Sequence, residues 1–307
     1  MSFSSDVKNE LCRTEPKRCC RRAECYGLLL FGRSFTAGSV CMLTGHREAA
    51  RRAAEFAAEI TGAVMDVSAS AKARANTYMV SAPSSEQASR VLDAFGHTGR
   101  EISLHINLAN VENECCRSAF LRGVFLSCGT VTDPSKDYRM EFAVPFMNLA
   151  KDLSAFLRDV DELDLQPGIA NRKGTFVVYV TGGDRVADLL TFLGAAGEAM
   201  ELMQVKMLKE VRNNVNRKTN FETANIDKTA SAAAVQMMAI ERLNAECGLS
   251  SLPEDLRELA LLRWQSPEMS LRELGQNLNP PLSRSGVHHR LQRLVELAGM
   301  QKGETEK

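Results

Sequence analysis

The sequence predicts an α+β domain with internal pseudo-twofold symmetry, followed by an all-α domain that closes on a helix-turn-helix. Three observations predict it: a repeat at an offset near one hundred residues, a basic and asparagine-rich joint after it, and a capped, proline-punctuated helical run at the C-terminal end. The 307 residues suit roughly two domains of ~150 residues each. Hydrophobic residues at 44% and charged residues at 25% suffice to bury ordinary soluble cores. Lys+Arg and Asp+Glu both number 38, so the formal net charge is +0. That excludes a histone-like polycation but leaves room for a local basic face. The opening residues are charged early and hold no apolar core segment, and no apolar run approaches 18 residues. No signal peptide or membrane helix is expected, and the expected location is cytoplasmic.

The repeat comes first in the chain, at about 20–100 and about 115–198 of a domain placed at 1–203. Gly27 in Glu24-Cys25-Tyr26-Gly27-Leu28-Leu29-Leu30-Phe31-Gly32 matches Gly123 in Leu121-Arg122-Gly123-Val124-Phe125-Leu126-Ser127-Cys128-Gly129. Thr77-Tyr78-Met79-Val80 matches Thr175-Phe176-Val177-Val178. Helical segments follow both, Glu86 to Gly96 and Asp184 to Gly194. Between these landmarks lie two more, Arg47 to Ile60 and Phe146 to Val160, in which Ala50 and Phe56 correspond to Ala150 and Phe156. Tyr138 to Val144 and Phe176 to Val180 alternate as strands do, and Asp133 to Asp137 has turn composition. Each copy therefore reads αββαββα. Two long copies of a mixed unit make one pseudo-symmetric domain, not a solenoid.

The first helix of each copy resembles the nine-residue motif of LAGLIDADG homing endonucleases, which occurs twice in pseudo-symmetric members. The resemblance implies that the two motif helices pack together, with Gly27 and Gly123 at position three allowing close approach. It also implies a catalytic acid at position eight, where two carboxylates would hold divalent cations over the scissile phosphates. Here position eight is Gly32 in one copy and Cys128 in the other, and neither offers a hard oxygen ligand. Asp133 follows the second motif without a counterpart in the first. The scaffold is expected without the cleavage chemistry, so no catalytic residue and no cofactor are assigned.

The joint, placed at 204–225, carries Lys206, Lys209, Arg212, Arg217 and Lys218 against the single acid Glu210. Val205, Leu208, Val211 and Val215 recur near helical period, so the polar face of this helix is cationic. Two readings are open: a solvated linker face, or a phosphate-contacting face indifferent to base sequence. The asparagines predict that the helix ends near Asn216, with a new one capped between Asn225 and Asp227. From Ile226, the residues Ala230, Ala233, Met237, Ile240 and Leu243 predict a helix packed on the C-terminal unit.

The helical domain is placed at 226–302, with a tail at 303–307. A helix spans Pro253 to Trp264, and Ser270 with Glu273 forms a capping box for a short helix ending near Asn279. Pro280-Pro281 stops it, and Ser283 opens the last helix, on the apolar stripe Val287, Leu291, Leu294, Val295 and Ala298. This helix-turn-helix falls at about 270–300. Opposite the stripe stand Ser285, His289, Gln292 and Arg293, flanked by Arg284, His288 and Arg290, with no acid from Arg284 to Val295. A recognition helix needs such donors for base edges and cations for phosphates, whereas a merely solvated face mixes signs. The adjacent His288 and His289 point about 100° apart and have no cysteine near, which argues against a zinc pair.

Three stretches then resemble the WhiA family of bacterial regulators: Ser270 to Leu291, the joint Arg212 to Ile226, and the opening Ser2 to Leu11. The resemblance covers essentially the whole chain. It implies a degenerate LAGLIDADG-like domain joined to a helix-turn-helix domain similar to the promoter-reading domain of sigma factors. It further implies a sequence-specific DNA-binding regulator of sporulation, or of cell division and chromosome segregation. The expected partner is promoter-bearing double-stranded DNA on the nucleoid, with a protein of the transcription or division machinery also open. No membrane and no small-molecule ligand are expected. The chain departs from the family at His288-His289, where asparagine is expected, which bears on base preference. Two alternatives stand beside this reading: a chromosome-associated division protein with broad DNA binding, and an active metal-dependent endonuclease, against which Gly32 and Cys128 weigh.

Nine cysteines and no C-x-x-C spacing read as reduced thiols. The tightest group, Cys19, Cys20 and Cys25, reads as buried or half-buried thiols and not as a metal site.

Overall fold

The structure, a computed structural model, describes residues 2–70 and 77–299. Positions 300–302 of the expected helical domain and the tail 303–307 lie outside the described residues. The chain forms two units, divided after Glu210.

The N-terminal unit opens on a helix that the sequence reading left out, α1 (Phe3–Arg13), whose Phe3, Val7 and Leu11 enter the core at helical spacing. The first copy follows: α2 (Arg18–Leu30), β1 (Ser34–Thr36), β2 (Ser39–Thr44), α3 (Arg47–Thr61), β3 (Asp66–Ser70), β4 (Thr77–Ser81) and α4 (Ser85–Ala94). The second repeats it: α5 (Glu114–Cys128), β5 (Gly129–Val131), β6 (Arg139–Val144), α6 (Met147–Arg158), β7 (Gly168–Arg172), β8 (Thr175–Thr181) and α7 (Gly183–Leu193). Both copies are αββαββα, as the repeat predicts. Each makes a four-stranded antiparallel sheet of the same order, β1-β2-β4-β3 and β5-β6-β8-β7. In β6 the residues Met140, Phe142 and Val144 are buried and alternate with Arg139, Glu141 and Ala143, so one face of the sheet meets the core.

The core is a single cluster centred on α2 and α5. The two helices touch at their glycines. A Cβ on Gly27 would lie 2.4 Å from Phe120 O, and one on Gly123 would lie 2.1 Å from Glu24 O. No side chain fits at either place, which is the close approach expected of the motif helices. A charged triad crosses the same seam. Glu24, fully buried, accepts from Arg52 Nε at 2.5 Å and from Arg122 Nε at 2.9 Å. The remaining guanidinium N–H groups donate to Cys12 O, Thr14 O and Leu193 O, so the triad leaves few donors unmet.

Two histidines are held neutral in this unit. His46 caps α3: its Nδ1 accepts from Ala49 N, and its Nε2 donates to Asn9 Oδ1 at 2.9 Å. His97 Nε2 accepts from the Tyr26 hydroxyl at 2.8 Å, while that hydroxyl accepts from Asn107 N. Burial holds both imidazoles below their ordinary value. Protons therefore bind the unfolded chain first, near pH ~6.5, so stability is full above that and falls as pH drops through it. Urea midpoints of the protein are expected to fall between pH 7.5 and 5.5, and to fall less in the His46→Gln, His97→Gln double variant. An equal fall in both proteins would remove the histidines as the cause.

The second unit is helical. α8 (Ala196–Glu246) runs through the joint without interruption. This corrects the expected end near Asn216 and restart at Asn225 to Asp227. No glycine or proline lies between Glu198 and Cys247, and each asparagine costs only ~0.7 kcal/mol or less relative to alanine inside a helix. The expected packing from Ile226 onward is also shortened: Ile226 is 67% exposed and Ala230 is exposed, whereas Ala239, Ile240 and Leu243 are buried. α9 (Glu254–Gln265), α10 (Leu271–Gln276) and α11 (Arg284–Leu297) are short and cover only the last turns of α8. α10 stops three residues before the expected Asn279, at a C-cap on Asn277. Its capping box is present, with Glu273 N donating to Ser270 Oγ and Ser270 N to Glu273 Oε2 at 2.8 Å.

Candidate nucleic-acid interface

α11 is built as its sequence pattern requires. Ser283 Oγ accepts from Gly286 N and caps it. Val287, Leu291, Leu294 and Ala298 enter a core with Leu256, Leu259 and Ala260 of α9 and Leu274 of α10. Arg263, buried in α9, ties the turn before α10: it donates to Gln236 Oε1, Pro267 O and Met269 O. That leaves one face of α11 in solvent. Arg284, Ser285, His288, His289 and Arg293 are exposed, and Gln292 is half-buried at the edge. The two imidazole rings lie 6.2 Å apart, and no third ligand joins them among the described residues. A helix N-terminus with the exposed Arg284 and no acid in its first turn attracts phosphate.

Arg290 is placed differently from its neighbours. Its Nε lies 3.5 Å from Asp255 Oδ2, and Nη1 donates to Asp255 O, so it braces α11 on α9. The joint residues divide as well. Lys206 Nζ binds Asp184 Oδ1 at 2.5 Å, and Lys209 Nζ donates to Pro134 O at 2.8 Å over the Tyr138 ring. Both are thus engaged within the N-terminal unit. Arg212, Arg217 and Lys218 are exposed, and Lys218 is 4.0 Å from Glu222. Leu208, Val211 and Val215, periodic as expected, are all exposed.

The motif positions of the N-terminal unit lack an acid for two different reasons. A Cβ on Gly32 would lie 2.5 Å from Cys41 O, so no carboxylate fits there without moving β2. Cys128 donates to Val124 O, and burial pushes its thiol up to about 12. Lys8 Nζ, 3.3 Å from Leu126 O, puts a cation beside it. Asp133 caps its own turn, accepting from Ser135 N at 2.8 Å. On the open face of the second sheet, Glu141 pairs with Arg139 and Arg172, and Arg139 lies over the Tyr179 ring. Among the described residues, the strands of the first sheet carry no lysine or arginine.

One group escaped the sequence reading. Cys19, Cys20, Cys115 and Cys116 converge, their sulfurs all within 4.8 Å of one another. A signal existed: the repeat offset of 96 that aligns Gly27 with Gly123 also sets Cys19-Cys20 on Cys115-Cys116. Neither pair has metal-ligand spacing alone.

These features define a degenerate LAGLIDADG-type domain followed by a helix-turn-helix domain. Family profiles agree: that of the WhiA LAGLIDADG-like domain matches residues 117–212, and that of the WhiA C-terminal HTH domain matches residues 215–298. The chain belongs to the WhiA family. A relative in Alkaliphilus metalliredigens, named "Probable cell division protein WhiA", is 37% identical over 99% of this chain and 100% of its own length. One in Ruminiclostridium cellulolyticum with the same name is 37% identical over 97% of each. The crystal structure of full-length WhiA from Thermatoga maritima superposes with a TM-score of 0.59 at 25% identity, covering 97% of this chain and 98% of that one. Among the described residues, no helix is long and apolar enough to cross a membrane.

Proposed function

We propose that this protein is a sequence-specific, double-stranded-DNA-binding regulator of cell-division genes, acting on the nucleoid and without nuclease activity. The observation that carries the reading is the exposed face of α11, free of acids from Arg284 to Val295, on which Arg284, Ser285, His289 and Arg293 stand clear of the core. The names of the relatives support the division role. Gly32 and Cys128 support the lack of cleavage, since a two-metal site needs carboxylates at both. In this reading Arg293, His289, Ser285 and Gln292 read base edges, and Arg284 and His288 hold phosphate. Arg212, Arg217 and Lys218 add sequence-independent contacts. Arg290 positions α11, and Lys206 and Lys209 contribute little because each is already engaged.

The test uses the full chain, a site selected from random duplexes, and a scrambled duplex. Arg293→Ala is expected to lose roughly 1–3 kcal/mol on the selected site and less on the scrambled one. Arg212→Ala is expected to weaken both alike and to lower the salt slope by about one ion. Supercoiled plasmid is expected to stay intact with Mg²⁺ or Mn²⁺ in the same samples. Equal losses on both duplexes for Arg293→Ala would refute base reading by α11. Metal-dependent nicking would refute the inert scaffold.

A further inference from the structure

We propose that Cys19, Cys20, Cys115 and Cys116 form a tetrathiolate site for Zn²⁺ that clips the two copies of the N-terminal unit together. The distances fit this ion. Cys19 Sγ lies 3.9 Å from Cys20 Sγ and 3.9 Å from Cys115 Sγ, and the four sulfurs span no more than 4.8 Å. Zn–S bonds of ~2.3 Å in a tetrahedron set sulfurs about 3.8 Å apart, so the cluster closes on zinc with small rotamer changes. An iron–sulfur cube spreads its cysteine sulfurs well beyond this distance. Four soft thiolates also exclude Mg²⁺ and Ca²⁺, which take oxygen ligands.

The site is built by the repeat. α2 begins at Arg18 and α5 at Glu114, so each cysteine pair occupies the second and third positions of its helix. The inner cysteines, Cys20 and Cys116, are buried, and the outer ones, Cys19 and Cys115, are exposed. The pseudo-twofold that relates the copies therefore relates the ligands in pairs. Both cysteine pairs lie in the first turn of a helix, where the positive end of the helix dipole favours a thiolate. Zn²⁺ uptake releases each remaining thiol proton to solvent and leaves a complex of charge −2, which the helix ends offset. Asn113 supplies an outer contact, with Nδ2 donating to Cys116 Sγ at 3.8 Å. Because zinc displaces thiol protons, uptake is expected to weaken as pH falls. This inference is independent of the DNA-binding reading.

The reduced full-length protein, stripped of metal, is titrated with Co²⁺ and then Zn²⁺. One equivalent of Co²⁺ is expected to give the visible bands of a tetrahedral thiolate, and one equivalent of Zn²⁺ to abolish them. Cys19→Ser with Cys115→Ser is expected to lose the bands, and Cys247→Ser to keep them. Asn113→Ala is expected to weaken zinc roughly 10–100-fold. Maleimide labelling of Cys19 and Cys115 is expected to slow once zinc is added, a readout that needs no variant. Three results would overturn the site: no cobalt bands, labelling rates indifferent to zinc, or bands that persist in the double-serine protein. A Cys19–Cys115 disulfide that, once reduced, still takes up no metal would overturn it as well.

Discussion

Glu24→Ala is expected to destabilise the N-terminal unit by about 3–5 kcal/mol, because it leaves two buried guanidinium groups without their counter-ion. For a unit of this size that amounts to a fall in melting temperature of roughly 10 °C. Glu24 is fully buried, and Arg52 and Arg122 are 8% and 5% exposed, so water cannot replace the carboxylate without opening the seam. The seam matters because Glu24 and Arg52 come from the first copy and Arg122 from the second. A companion protein carrying Glu24→Leu, Arg52→Met and Arg122→Leu separates charge from packing. It is expected to recover most of the loss, since an apolar trio of similar volume avoids the desolvation of three ions. Urea unfolding followed by far-UV circular dichroism measures both. A loss under about 1 kcal/mol for Glu24→Ala would show that the arginines find other partners.

Gly123→Ala is expected to cost about 3 kcal/mol, the upper end of over-packing penalties. The added methyl would sit 2.1 Å from Glu24 O and 3.0 Å from Leu28 N. Both are backbone atoms, so no side chain can swing away and the helices must part. Gly27→Ala meets Phe120 O at 2.4 Å and is expected to behave alike. Gly38→Ala, which meets nothing within 4 Å, is the control and should lie within ±0.5 kcal/mol of the parent. The same unfolding experiment decides it: a Gly123→Ala protein as stable as Gly38→Ala would mean that α2 and α5 are not rigidly apposed.

What the sequence determined by itself is what depends on neighbours along the chain. Hydrophobic period and the repeat offset placed the helices of both copies and the strands β4, β6 and β8. The Ser270–Glu273 box and the Ser283 cap marked the starts of α10 and α11, because a cap is made within one turn. Val287 and Leu291 set the buried side of α11 and hence its open side. The two motif glycines were legible too, because their requirement is written once in each copy. What only the tertiary structure decided is which polar groups meet across long separations. Arg290 reads in sequence as one cation among several on α11, yet Asp255 holds it. Lys206 and Lys209 read as part of a basic run, yet Asp184 and Pro134 O engage them. Glu24 has no partner legible along the chain, yet it is fully buried between two arginines. Cys19-Cys20 lacks ligand spacing until α5 brings Cys115-Cys116 against it. Local patterning reports which side of an element is apolar. The partner of a buried charge or a thiol is fixed only when two such apolar sides pack, because only packing brings groups distant in sequence within bonding range.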